Sequence, residues 1–205
     1  MLQFVPVYLL CYLVIFELRC FRCVGPNSRI QLILSVWQFI GQMKSVLVLR
    51  HAKSSWKHPD LADHDRPLNK RGKHDAPPMG RLLKREDLVP DIIISSTAIR
   101  ARATAKAVAK ASGYKGEIIL NKSLYAAGPE AYLGVIHALS DEYVRVLIVG
   151  HNPGLEELVE VLTGEVHLMP TCSLAHLKLR VDKWSAIGNK MKGQVRDIWR
   201  PRDLT

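Results

Sequence analysis

Short apolar runs alternate with amphipathic stretches along the chain after residue 43. Runs rich in Val, Ile and Leu indicate buried strands at Ser45–Leu49, Pro90–Ser95, Glu117–Leu120 and Val144–Val149. Helical patterns separate them, at Asn69–Glu86, Ala98–Ser112, Pro129–Leu139 and Pro153–Thr163. A last stretch, Leu174–Val181, alternates apolar and polar residues as a strand near a sheet edge does. Continuous apolar strands between helices predict an α/β three-layer sandwich, in which helices cover both faces of a mostly parallel sheet.

Local signals refine the ends of these helices. Gly113 and Gly164 directly follow two helical patterns and are predicted C-terminal caps. Thr97 and Asn152 are predicted N-caps, with Pro153 at the first helical position after Asn152. The pair Pro77-Pro78 falls inside the first helical pattern, where an interior proline costs ~3 kcal/mol, so we expect a break or kink there.

Residues 1–42 differ in composition from the remainder. The apolar run before Glu17 is shorter than the ~20 residues of a membrane span, and its arginines follow it, unlike those of a secretory signal. A membrane anchor, a targeting segment and sequence upstream of the natural start are the alternatives. We favour the third, because Met43 and Lys44 immediately precede the first strand. We therefore expect an apolar segment at 1–42, outside the domain, and one domain at 43–205.

The formal net charge of +10 favours an anionic partner, such as a phosphate compound, nucleic acid or an acidic membrane surface. Nucleic acid is disfavoured because the aromatic residues after residue 42 are not interleaved with basic ones. Membrane binding is expected only if residues 1–42 act as an anchor. Cys172 stands alone after residue 42, which suits a reducing compartment. We expect a cytoplasmic monomer, with targeting or anchoring by residues 1–42 left open.

Basic side chains follow three of the predicted strands. Arg50 and His51 follow the first strand, Arg100 the second and His151 the fourth. The carboxyl ends of parallel strands meet at one edge of a sheet, where ligands bind. Two arginines and two histidines beside helix N-termini suit a phosphate group. The sequence therefore predicts a phosphate site at this edge.

These residues also carry a resemblance to a known family. In their order they resemble the histidine phosphatase superfamily, with its phosphoglycerate mutase-like fold, and most of all the SixA-type phosphohistidine phosphatases. The matching elements are Arg50-His51-Ala52, where the family has Arg-His-Gly, then Arg66–Gly72, Ser95–Ala105 around Arg100, and Gly150–Gly154 around His151. The resemblance runs from about Lys44 to the C-terminus.

The resemblance implies a phosphatase that uses His51 as nucleophile and forms a covalent phosphohistidine. Arg50, Arg100 and His151 would then hold the phosphoryl oxygens. By similarity Arg66 joins this phosphate-binding set; alternatively, it fixes its own loop through Asp63 or Asp65. Neither a metal nor another cofactor is implied.

One departure from the family bears on the substrate. Many relatives that cleave phosphate monoesters carry a glutamate proton donor in a Leu-x-Glu element, and Ala126 stands at that place in Leu124-Tyr125-Ala126. An alkoxide needs a proton as it leaves, whereas imidazole can leave neutral, so a P–N bond is the expected substrate. Glu130 or Asp65 could supply a proton instead. The expected substrate is phosphohistidine on a phosphorylated protein. The alternatives are a small phosphorylated substrate, cleaved by a phosphomonoesterase of the same fold, and a non-catalytic phosphate-binding module.

Overall fold

Six strands form one mixed sheet in the computed structural model, which describes residues 43–57, 59–188 and 193–204. The strands are β1 (Lys44–Arg50), β2 (Ile92–Ser96), β3 (Ile118–Asn121), β4 (Arg145–Gly150), β5 (Leu174–Leu179) and β6 (Gln194–Trp199). Their order across the sheet is β3-β2-β4-β1-β5-β6. Strands β1 to β4 are parallel to one another. Strand β5 runs antiparallel to β1, and β6 runs antiparallel to β5.

Two helices cover each face of this sheet. They are α1 (Lys70–Arg85), α2 (Ile99–Ser112), α3 (Pro129–His137) and α4 (Gly154–Thr163). On one face, Leu82 and Val108 of α1 and α2 belong to the same buried cluster as Leu47. On the other face, Ile136 and Leu158 of α3 and α4 lie in a second cluster. The predicted three-layer α/β sandwich with a mostly parallel sheet is thereby confirmed.

Strand β1 is apolar on both sides because helices cover both faces of the sheet. Its residues from Val46 to Leu49 are 0% exposed, so the strand shows a continuous apolar run rather than an alternation. Lys44 at its start is equally buried, and its ammonium donates to the carbonyls of Asp141 (2.6 Å) and Tyr143 (2.9 Å). Those bonds replace the hydrogen bonds to water that the ammonium group loses on burial.

The break or kink expected at the two prolines is wrong as a break, since α1 runs through Pro77 and Pro78. Each proline removes the backbone bond to the carbonyl four residues earlier. Those carbonyls belong to Lys73 and His74, which are exposed, so water can hydrate them. Met79, in the same turn, is fully buried, and its packing helps to offset the local cost.

Both predicted N-caps are displaced by one residue. The cap of α2 is Ala98, and the Thr97 hydroxyl lies 3.0 Å from His64 Nε2 instead. The cap of α4 is Pro153, and the Asn152 side chain donates to the carbonyl of Met169 (3.1 Å). In each case the side chain makes a tertiary hydrogen bond, which local sequence cannot reveal.

The remaining elements lie within two residues of their predicted ends, and Gly113 and Gly164 cap their helices with positive φ. Strand β6 is an addition, because no strand was predicted at Gln194–Trp199. Predictions for residues 1–42 fall outside the described residues. Within the described ranges, no helix has the length and apolar character needed to cross a membrane.

Candidate active site

The carboxyl ends of β1, β4 and β2 lie side by side and gather the predicted basic residues. The guanidinium of Arg100 lies between two imidazoles, with its Nε 3.3 Å from His51 Nε2 and its Nη2 3.4 Å from His151 Nδ1. The two imidazole rings are 5.0 Å apart between centroids. Arg50 pairs with Gly150 in the register of β1 and β4, one residue before each histidine. We call Arg50, His51, Arg100 and His151 the His–Arg cluster.

His51 is held in one tautomer by its own loop. Its Nδ1 lies 2.8 Å from the carbonyl oxygen of Ala52, which can only accept, so Nδ1 carries the proton. The lone pair is therefore on Nε2, the nitrogen that faces Arg100. Burial, and after it the charges of Arg100, Arg50 and Arg66, lower the pKa of His51 to about 4. At neutral pH the ring is therefore uncharged, with its lone pair on Nε2.

His151 is fixed in the opposite tautomer. Its Nδ1 accepts from Arg100, so the proton lies on Nε2, which is 2.9 Å from the hydroxyl of Ser96. The backbone N–H of His151 donates to the hydroxyl of buried Tyr132 (3.1 Å). Burial first, and then the neighbouring His51 and Arg100, lower the pKa of His151 to about 3. His151 is therefore neutral and oriented from three sides.

Arg50 keeps unused hydrogen-bond donors at the cluster. One of its terminal nitrogens, Nη1, donates to the carbonyl of Met169 at 2.8 Å. Its Nε is buried and has no hydrogen-bond partner within the described part of the chain. A buried guanidinium nitrogen without an acceptor is costly, and an anionic oxygen would satisfy it.

The loop that carries Arg66 reaches the cluster through an aspartate. Arg66 donates to Asp63 Oδ1 (2.7 Å), to the Ser54 hydroxyl (2.8 Å) and to the Ser55 carbonyl (3.1 Å). Its guanidinium stacks on the ring of Trp56 at 3.2 Å from the centroid. These contacts agree with the alternative in which Arg66 fixes its loop. Its charge still acts on His51, whose pKa it lowers.

Asp63 and Tyr125 are parts of the site that were not predicted as such. Asp63 contacts Arg100 twice, through its main-chain oxygen and through Oδ2 (2.8 Å). The Tyr125 hydroxyl donates to the same Oδ2 at 3.0 Å, and the Tyr125 ring lies edge-on to His151 at 5.6 Å. The available sequence signal for Asp63 was its place three residues before Arg66. For Tyr125 it was the step just before Ala126.

Two glycines fit the surrounding backbone tightly around this site. A Cβ atom on Gly72, in the first turn of α1, would overlap the carbonyl of Lys53, two residues after His51. A Cβ on Gly154, the first residue of α4, would overlap the carbonyl of Ala127. Helices α1 and α4 therefore hold the loops on either side of the cluster by close backbone contact.

The described residues contain no group of three or more His, Cys, Asp or Glu placed to hold a metal ion. The other two candidate proton donors, Asp65 and Glu130, make no hydrogen bond to the His–Arg cluster within the described ranges. Asp65 bonds to His64 Nδ1 (2.9 Å), and Glu130 is an exposed residue in the first turn of α3.

The chain is similar to known proteins in both sequence and fold. Residues 46–126 match the model of the histidine phosphatase superfamily (branch 1). An uncharacterized chloroplastic protein of Arabidopsis thaliana is 32% identical over 150 residues, which are 69% of this chain and 69% of that protein. The solved structure of the SixA protein of Agrobacterium tumefaciens is 34% identical. That match has a TM-score of 0.67 and covers 77% of this chain and 98% of the other.

The chain belongs to the histidine phosphatase superfamily. Membership of this family makes it a phosphatase that acts on phosphorylated substrates. The same fold occurs in a mycobacterial glucosyl-3-phosphoglycerate phosphatase, at 15% identity, a TM-score of 0.58 and coverage of 77% of this chain and 98% of that one. The fold is therefore shared by phosphatases of different substrates, and the choice of substrate must be argued from the site.

Proposed function

We propose that this protein hydrolyses phosphohistidine on proteins through a covalent phosphohistidine formed on His51. The observation that carries the proposal is the 2.8 Å contact between His51 Nδ1 and the carbonyl of Ala52. It places the proton on Nδ1 and the lone pair on Nε2, which accepts from Nε of the guanidinium that would hold the phosphoryl group. A neutral imidazole with an oriented lone pair is the nucleophile that this reaction needs.

In the first step, Nε2 of His51 attacks phosphorus and the substrate P–N bond breaks. The electron pair of that bond goes to the substrate imidazole, which leaves neutral if its other nitrogen carries a proton. The unused N–H donors of Arg50 and Arg100 bind the phosphoryl oxygens and stabilise their charge. The phosphoryl dianion favours protonation of His151, which then donates to an oxygen as well.

In the second step, a water molecule attacks phosphorus and the bond to His51 Nε2 breaks. The electron pair returns to Nε2, and the protons of the water stay with the departing phosphate. Because Nδ1 keeps its proton on the Ala52 carbonyl throughout, His51 leaves as neutral imidazole. No proton has to be delivered to His51 in either step.

The environment of the site favours a P–N substrate over an alkyl phosphate. Asp63 is the carboxylate hydrogen-bonded to Arg100 among the described residues, and its pKa is too low for it to donate a proton at neutral pH. Ala126, where many relatives have the donor glutamate, offers no acid. An alkoxide would have to leave without a proton, which is unfavourable, whereas imidazole needs none.

We further propose that the reaction needs no metal ion, since arginines and histidines supply the positive groups that stabilise phosphoryl charge in the mechanism above. The proposed substrate is a phosphorylated protein. Trp56, which stacks on Arg66, and Leu168, which precedes the Met169 that accepts from Arg50, are apolar and 74–75% exposed, which is compatible with a protein partner.

Phosphate release by the full chain tests this function. A histone phosphorylated on histidine with phosphoramidate would be compared with p-nitrophenyl phosphate and an alkyl phosphate, with a chelator present. The expected result is a preference for the phosphohistidine protein, and loss of turnover in His51→Ala. A preference for the alkyl phosphate would favour the small-molecule phosphomonoesterase instead. Phosphate binding without turnover of any substrate would favour a binding module.

A further inference from the structure

Asp63 is locked into the rim of the His–Arg cluster by three donors. Its Oδ1 accepts from Arg66 at 2.7 Å. Its Oδ2 accepts from Arg100 at 2.8 Å and from the Tyr125 hydroxyl at 3.0 Å. Its main-chain oxygen accepts from Arg100 as well. The carboxylate therefore has a fixed position beside the Arg100 guanidinium, whose Nε donates to His51.

One acceptor position of this carboxylate stays open. An ionised carboxylate offers about four lone-pair sites, and the contacts above use three of them. The open site is on Oδ1, which accepts from Arg66 alone among the recorded hydrogen bonds of the described residues. The Asp63 side chain is 51% exposed, so a molecule entering from solvent can reach it.

Asp63 acts as an acceptor and not as an acid. Partial burial raises its pKa, but the hydrogen bonds from Arg66, Tyr125 and Arg100 outweigh that effect and lower it to about 2. At neutral pH the group has no proton to give. A leaving group that must be protonated gains nothing from it, and one that carries its own N–H gains a hydrogen-bond partner.

We propose that Asp63 determines the leaving-group specificity of this site, by accepting a hydrogen bond from the distal ring N–H of a phosphoimidazole substrate. This inference rests on the proposed function. Asp63 would accept from the distal N–H of the substrate imidazole, as the Ala52 carbonyl accepts from the Nδ1–H of His51. Each of the two imidazoles that exchange the phosphoryl group then keeps a proton on its distal nitrogen.

The hydrogen bond assists the first step without moving a proton. As Nε2 of His51 bonds to phosphorus, the P–N bond of the substrate breaks and its electron pair goes to the substrate nitrogen. The distal nitrogen keeps its proton, held against Asp63, so that neutral imidazole departs. An alkoxide in the same place would set a developing negative charge beside a carboxylate, which repels it.

The test compares leaving groups in the full chain. For Asp63→Asn, kcat/KM would be measured on a histone phosphorylated on histidine with phosphoramidate and on p-nitrophenyl phosphate, whose phenolate leaves without a proton. The ratio of the two values should fall about 10-fold or more, the worth of a hydrogen bond to a charged group. On the histone, the alkaline limb of the pH profile should also move to lower pH, because the distal N–H is less stabilised.

Two further variants separate specificity from structure. Asp63→Glu retains the carboxylate and should restore part of the ratio. Asp65→Asn removes a carboxylate from the same turn, one that bonds to His64, and should leave the ratio as in the wild type. Melting curves would show that each variant is folded.

An unchanged ratio in Asp63→Asn would overturn the inference, whether both activities fell together or neither did. Equal loss on both substrates would mean that Asp63 only positions Arg100. If the wild type turned over p-nitrophenyl phosphate but not the phosphorylated histone, the proposed function itself would fall, and the inference with it.

Discussion

Ser96 receives the proton of the second histidine of the site. Arg100 can only donate to His151 Nδ1, so the proton is on Nε2, which lies 2.9 Å from the Ser96 hydroxyl. Both groups are buried, so no water competes for this hydrogen bond. The Ser96 hydroxyl, at the end of the strand next to that of His151, is therefore the acceptor for the ring N–H of His151.

Ser96→Ala should lower kcat about 5- to 10-fold, the worth of one hydrogen bond, with a smaller change in KM. The reason is that the Nε2–H of His151 loses its buried acceptor, so the ring is oriented less firmly. The matched control is Ser95→Ala, because Ser95 is equally buried but donates to the main-chain oxygen of Ser96 and not to a histidine. Steady-state kinetics on p-nitrophenyl phosphate give the comparison. Equal kcat values in the two variants would contradict this role of Ser96.

Ala126→Glu tests whether residue 126 stands at the position of the proton donor. If Ala126 stands at the donor position, a glutamate there should raise kcat/KM for an alkyl phosphate relative to phosphohistidine, since an alkoxide could then leave protonated. The two substrates would be assayed side by side with wild type and variant. An unchanged ratio would mean that residue 126 is not the donor position.

At the scale of elements, helix α1 is fitted against the loop of the nucleophile. Asn69 caps this helix by accepting from the N–H of Gly72 at 2.8 Å, and Gly72 itself lies against the backbone of Lys53. The element Arg66–Gly72 thus positions the loop after His51 as well as placing Arg66. Its glycine leaves room for backbone contact that a side chain would prevent.

Gly72→Ala should lower both the melting temperature and kcat, because the added methyl overlaps a main-chain oxygen that cannot move without displacing His51. Gly134→Ala in α3 is the matched control, since a Cβ there meets nothing within 4 Å. That variant should be neutral or more stable, by up to about 1 kcal/mol from helix propensity. Thermal melts and kinetics on both variants provide the measurement. A Gly72→Ala enzyme as stable and active as the control would contradict the fit.

The elements also show what sequence alone could predict. The strands and the convergence of Arg50, Arg100 and His151 followed from apolar runs and from the geometry of parallel sheets. The link from Asp63 to the cluster did not, because two of its three donors, Arg100 and Tyr125, come from distant parts of the chain and only Arg66 is local. The N-cap predictions for Thr97 and Asn152 were wrong because these side chains hydrogen-bond to distant residues, His64 and Met169, instead of to the helix N-terminus.

At the scale of the whole molecule, three histidines among the described residues have lowered pKa values and are neutral at pH 7. Burial is the first cause that lowers the pKa of His51 and His176 to about 4 and of His151 to about 3. His176 lies on β5, with its Nε2 2.9 Å from the Ser45 hydroxyl on β1, on the sheet but outside the His–Arg cluster. Unfolding would release all three rings to water.

The fold should therefore lose stability in acid. Below pH 6.5 these histidines become protonated in the unfolded chain but not in the folded one. Their contribution to the free energy of unfolding is therefore complete above pH 6.5 and decreases as the pH falls toward about 4. The melting temperature should decrease over this window. In His176→Asn the decrease should be shallower, because one titrating ring is gone. Calorimetry at several pH values measures both slopes, and identical slopes would contradict the assignment to His176.

If His51 carries the phosphoryl group between substrate and water, the phosphorylated enzyme can be trapped. The full chain would be mixed with radiolabelled phosphohistidine protein, quenched with base within milliseconds and mapped by peptide analysis. We expect an acid-labile, base-stable phosphoryl group on His51 that forms and decays at rates compatible with turnover, and none in His51→Ala. Turnover in His51→Ala, or label on another residue of the active wild type, would contradict it.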